Sequence, residues 1–116
     1  MRNGVLAIAL LVALVGCATV SDAGYYWGEY SETYYQWVVA PSEETLAAHV
    51  AELQDIITES KERELRVPPG IYAELAFFLQ RQGGADSAPG FYAQEIELYP
   101  ESAVMLQRLQ QMENGQ

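Results

Sequence analysis

The chain has 116 residues, with six basic residues, sixteen acidic ones and one His, and a formal net charge of −10. This length bounds it to one domain, and the acidic balance argues against nucleic-acid binding by a basic face and against electrostatic adhesion to an anionic bilayer. A single Cys excludes an internal disulfide, and one Cys with one His excludes the common zinc sites.

The first element is an export signal. Arg2 precedes an unbroken apolar run at residues 5–15, VLAIALLVALV. That run is too short to cross a hydrocarbon core of roughly 30 Å, which takes about 20 helical residues. It ends in Leu14-Val15-Gly16-Cys17. The position, the run length, the small Gly16 and the Cys together resemble the bacterial lipoprotein signal. The alternative is an ordinary secretory signal followed by a chance Cys. The resemblance implies that residues 1–16 are removed by cleavage between Gly16 and Cys17. It also implies that Cys17 Sγ carries a diacylglycerol thioether and that the new amino group is acylated. One acyl chain binds a membrane marginally, whereas two or three hold it for as long as the cell needs. The residue after Cys17 is Ala18. In lipoproteins of two-membrane bacteria an Asp there resembles an inner-membrane retention signal, so the expected address is the outer membrane, lipid-anchored, with the domain on the periplasmic face. Beyond this covalent lipid no cofactor and no metal is expected.

Residues 17–24 read as the lipidated Cys and a small, polar tether, and residues 25–116 as a helical domain. The densest aromatic stretch opens that domain: Tyr25, Tyr26, Trp27, Tyr30, Tyr34, Tyr35 and Trp37. Tyr26, Tyr30, Tyr34 and Trp37 recur on one face of a helix. Gly28 weakens that helix, and Ser31 is placed to cap a shorter one starting at Glu32. Pro41 stops the segment. Ser42 has the form of an N-cap, with Glu43 and Glu44 at the positive end of the helix dipole. Leu46, Val50, Leu53 and Ile57 continue at helical spacing into the charged Glu59–Arg66 stretch. Val67-Pro68-Pro69-Gly70 breaks this helix, and Pro69 is placed to open the next one at 70–82. Gly83-Gly84 ends it, Asp86 or Ser87 caps a third helix with Pro89 in its first turn, and Pro100 ends that. A last helix carries Met105, Leu106, Leu109 and Met112, and no segment alternates as a strand would.

The pattern predicts an all-α fold, a small helical bundle with one tetratricopeptide-like hairpin and flanking helices. The hairpin rests on Tyr72-x2-Leu75-Ala76-x2-Leu79, then Ala88-x3-Tyr92, then Pro100, which fall at the places of the 34-residue repeat signature. Small residues at Ala76 and Ala88 let two helices cross closely. Glu95 stands where a small residue is usual, so its carboxylate is either buried and paired or splays the hairpin. A single repeat cannot bury its own faces, so the helices on either side must pack against it.

Three motifs carry a wider resemblance: Tyr25-Tyr26-Trp27-Gly28-x-Tyr30, Val67-Pro68-Pro69-Gly70-Ile71-Tyr72-Ala73-Glu74 and Glu95-x3-Tyr99-Pro100-Glu101-Ser102. Together they are similar to a family of short bacterial lipoproteins built on a domain of unknown function. The resemblance implies a protein partner in the envelope, with a lipoprotein similar to the curli secretion channel as the candidate.

The aromatic residues at 25–37 are the candidate partner-binding residues, because Tyr and Trp dominate protein hot spots. Core packing and a seat at the membrane interface are the other two readings of the same stripe. Glu74 and Glu95 are placed to face each other across the hairpin, but no nucleophile or metal pattern surrounds them, so capping or a Tyr hydroxyl partner is the expected role and no catalytic residue is assigned. His49, beside the Val50 stripe, reads as a helix-surface or boundary residue. The expected function is a protein-binding adaptor or assembly factor working with other envelope lipoproteins. The alternative is a small-ligand or peptidoglycan-fragment module, which a cleft lined by Tyr30, Trp37 and Tyr72 would favour.

Overall fold

A computed structural model of the chain describes residues 24–84 and 86–115. Gly16, Cys17 and most of the tether lie outside the described residues. Within them the regular structure is α1 (Tyr30–Val39), α2 (Glu43–Glu62), α3 (Ile71–Arg81), α4 (Ala88–Leu98), a 3-10 turn (Pro100–Ser102) and α5 (Ala103–Glu113). No strand occurs among the described residues, so the fold is all-α as the periodicity predicts. No helix among them is long and apolar enough to cross a membrane.

Each helix packs mainly on its neighbours in sequence: α1 on α2, α2 on α3, α3 on α4, and α4 on α5 and the 3-10 turn. Residue pairings show that successive helices run antiparallel. Thr45 Oγ1 donates to Ala40 O at one end of α1/α2, and Glu29 N–H donates to Glu52 Oε1 at the other. Two apolar clusters fill the layers. The larger joins Leu53, Ile56 and Ile57 of α2 to Ile71, Tyr72, Leu75 and Phe78 of α3. The smaller joins Ala76 of α3, Ala88 and Tyr92 of α4, and Leu106 of α5. Burying a side chain such as Leu53 or Ile56 contributes about 1.5–3 kcal/mol.

Most of the hairpin residues are buried as their pattern requires, with Leu79 only half-buried at the edge of the larger cluster. Tyr72, Leu75, Ala76, Ala88 and Tyr92 are all buried, and α3 meets α4 where the two alanines leave room. Ser42 caps α2: its hydroxyl accepts from Thr45 N–H at 3.1 Å, and Thr45 Oγ1 accepts from Ser42 N–H at 3.0 Å. Gly83, at φ 88, ends α3 in a Schellman turn, with Gly84 N–H donating to Leu79 O at 2.7 Å.

Four local expectations are corrected. Ser31 does not cap α1, which begins at Tyr30 with Glu29 at the N-cap position and Glu52 of α2 supplying the acceptor. Gly28 lies in the turn before α1, with φ 47, and a Cβ there would run into the Glu52 carboxylate. Pro69 does not open α3: Gly70, at φ 93, holds the N-cap position and the helix starts at Ile71. Ser87 does hold the N-cap position of α4, but its side chain makes no capping bond, and Pro89 fills the first turn.

Candidate functional site

The aromatic stripe divides by face. Tyr26, Tyr30 and Trp37 are partly buried and pack on the α2/α3 core, so they hold α1 down. Tyr25, Trp27, Tyr34 and Tyr35 remain exposed, Tyr35 to 60%. Core packing and a free surface are therefore both realised, by different members of one stripe. The residues proposed to line a ligand cleft do not share one. Tyr72 is buried and stacks on Phe91 at 6.1 Å, while Trp37 packs edge-on against Phe78 at 5.0 Å.

At the centre of the contact between α1, α2 and α3 lies His49, with no exposure at all. This corrects the boundary placement. Its Nε2 is 2.9 Å from Glu74 Oε1, and its Nδ1 is 2.8 Å from Thr33 Oγ1. Glu74 Oε2 accepts a further bond from Tyr30 Oη at 2.7 Å. An ionised Glu74 is an acceptor only, so the ring carries its proton on Nε2 and Thr33 donates to Nδ1. The Thr33 hydroxyl has Tyr30 O as another acceptor at 3.2 Å, so the network also stays complete when the ring is protonated on both nitrogens. Tyr30, Tyr34, Trp37 and Phe78 surround the imidazole, with centroids 5.3–6.4 Å away. Burial, first, and the bond to Glu74 push the Tyr30 hydroxyl well above its ordinary pKa.

A hydroxyl, an imidazole and a carboxylate in line is an arrangement that nucleophilic catalysis uses. Here the ring has no solvent access, so a substrate can reach it only if α1 lifts away. The geometry joins three helices by side chains from each. No metal-binding group of three or more His, Cys, Asp or Glu residues occurs among the described residues.

Glu74 and Glu95 do not face each other. Glu95 points from α4 to the start of α3, where its Oε1 accepts from Gly70 N–H at 2.7 Å. Its other oxygen is buried without a partner. Burial is the main influence and raises its pKa, while the N–H groups at Gly70, Ala73 and Tyr72 pull it back down. Tyr99, one helical turn on, donates to Val67 O at 2.7 Å. Burial and the neighbouring Tyr25 hydroxyl hold the Tyr99 proton tightly. The three sequence motifs thus meet in space: Tyr30 grips Glu74, Glu95 grips Gly70 and Tyr99 grips Val67.

Among the described residues, large apolar side chains are exposed at the two ends of the helix array. The exposed large hydrophobics are Tyr25, Trp27, Tyr34, Tyr35, Val38 and Val39 at one end and Val104, Met105 and Met112 at the other. The α5 face was not foreseen as open. Met105 and Met112 share the predicted stripe with Leu106 and Leu109, yet only Leu106 and Leu109 turn inward, and Met105 is 64% exposed. The missed signal is a second stripe, Glu101, Val104, Met105, Arg108 and Met112, at the same helical period. Four of the basic side chains, Lys61, Arg63, Arg66 and Arg81, lie over aromatic rings at 4.3–5.9 Å. They are thereby drawn onto the body of the protein.

No curated protein and no solved structure matches the chain. A family model matches residues 25–109, from the first exposed tyrosine to the inward-facing leucine of α5, and the chain belongs to that family, the domain of unknown function DUF4810.

Proposed function

We propose that this chain is an outer-membrane-anchored periplasmic lipoprotein whose helical domain is a non-catalytic, protein-binding adaptor. One observation carries the reading: the exposed large hydrophobics fall on the first segment and the last helix, the two ends of a neighbour-to-neighbour array. Such arrays need polar outer faces on their terminal elements to remain soluble alone. Terminal faces bearing Tyr35 and Val39, or Met105 and Met112, are those of a module that works in contact with other protein. The Leu-Val-Gly-Cys sequence at 14–17 supports the anchor, and the resemblance of the three motifs to short bacterial lipoproteins supports another envelope lipoprotein, of the curli-channel-like kind, as the partner.

Affinity capture of the full chain from detergent-solubilised host membranes tests the adaptor role. A defined partner should be recovered with the wild type, and the double variant Tyr35→Ser/Val39→Ser should lose it while keeping its helix content. Recovery of the chain alone under gentle conditions overturns the reading. Mass spectrometry of the mature N-terminus tests the anchor: an acylated Cys17 is expected, and an intact Met1 or a free Cys17 thiol refutes it.

A further inference from the structure

We infer that the outer face of α5 is a self-association surface, on which a second copy of this chain docks antiparallel about a two-fold axis. This deepens the adaptor reading, which treats the α5 face as a protein contact without naming what docks there.

Glu101, Val104, Met105, Arg108, Leu109 and Met112 line one shallow groove along the helix. Its floor is apolar, and its two charges are of opposite sign and seven residues apart, two helical turns. Among the described residues Arg108 has neither an ion pair nor an aromatic ring, unlike the other basic side chains of the domain. Glu101 likewise has no cation against it among them. The stretch from Ser102 to Met112 contains no carboxylate in a chain of net charge −10, so the general repulsion between copies is reduced at this face.

The order of the charges selects the partner. A parallel copy would set Glu101 against Glu101 and Arg108 against Arg108. An antiparallel copy sets Glu101 of each chain against Arg108 of the other, with Val104 and Met105 meeting their counterparts between. An isologous interface has this self-complementarity: residue i meets j, and j meets i. Burying the exposed Val104 and Met105 supplies the favourable area, and the two flanking pairs set the register.

The test places a photo-crosslinking amino acid at Met105 in the full chain, expressed in its host and irradiated in intact cells. The expected product is a dimer of this chain. Glu101→Arg or Arg108→Glu alone puts like charges together at both ends and should reduce the dimer about tenfold. The double variant, Glu101→Arg with Arg108→Glu, restores both pairs and should return the yield to within about twofold of the wild type. Both side chains are exposed, so circular dichroism should report unchanged helix in all three. A dimer indifferent to the single changes, a double variant without rescue, a cross-link only to a different protein, or no cross-link at all each overturns the proposal. The partner contact at Tyr35 and Val39 is read separately, so loss of one result leaves the other standing.

Discussion

Glu95 Oε1 accepts a hydrogen bond from the Gly70 amide at 2.7 Å, and a side chain of α4 thereby caps α3. The same device recurs at α1, where Glu52 Oε1 of α2 accepts from Glu29 N–H at 2.7 Å. Neither helix has a capping side chain of its own. Each borrows a carboxylate from the adjacent helix, so the cap becomes a tertiary contact as well as a local one.

Removing the borrowed cap should therefore loosen packing and helix together. Glu95→Ala is expected to lower stability by about 2 kcal/mol in urea denaturation at neutral pH. Glu95→Gln keeps an acceptor oxygen and removes a buried charge, so it should stay within about 1 kcal/mol of wild type. Burial raises the Glu95 pKa above the ordinary value of 4.5, so in the window above 4.5 the folded state holds the proton more firmly than the unfolded one. This group's contribution is then greatest below that window and is lost as pH rises through the raised pKa. The decline should be shallower in Glu95→Gln; equal slopes would contradict this.

His49→Ala removes the link between Thr33 of α1 and Glu74 of α3 and leaves a cavity at the helix junction. A loss of about 3 kcal/mol is expected. Trp37 stacks parallel to the imidazole at 6.4 Å, so its fluorescence should report the release of α1 at lower denaturant than the circular dichroism of the rest. Coincident transitions at the wild-type midpoint would refute the linking role.

Glu64 has φ 55 and occupies the left-handed position of the turn that closes α2, where Leu65 N–H donates to Ser60 O at 2.8 Å. Glycine is the usual residue there. Glu64→Gly should raise stability by about 0.5–1 kcal/mol, because relief of the strained backbone outweighs the extra chain entropy. A lowered urea midpoint would count against it.

Tyr92 is buried between α3 and α5, and burial, first, with the nearby Glu113 pushes its pKa up to about 12 from 10.0. The folded state keeps this proton where the unfolded chain gives it up, so stability is retained below pH 10 and falls as pH rises towards 12. The bond to Glu113 is long at 3.4 Å, so Tyr92→Phe should cost under about 1 kcal/mol at neutral pH. Its loss of stability between pH 10 and 12 should be visibly shallower than that of wild type.

Elements set by local chemistry were legible in the sequence. Ser42, Gly83 and Pro100 act within a few residues of themselves, and the turns they mark fall where expected. Ala76 and Ala88 were legible too, because close crossing excludes larger side chains. His49 was not, because its partners stand 16 and 25 residues away on other helices, and a lone His next to an apolar stripe carries no local mark of them. Glu95 was half legible. Its place in the repeat pattern flagged a buried carboxylate, but the Gly70 amide it serves is on the opposite helix. The division of the aromatic stripe escaped periodicity altogether. Tyr30 and Tyr34 both contact His49, yet Tyr34 is still 42% exposed because no other described residue covers its outer side.

The pairing of each helix with the next one along the chain also bears on kinetics. Contact order is low when partners lie close in sequence, and helical proteins of this kind fold in microseconds to milliseconds. Two neighbouring helices can meet once the second of them has been synthesised. The amino-terminal helices can thus begin to pair before the last ones have been made.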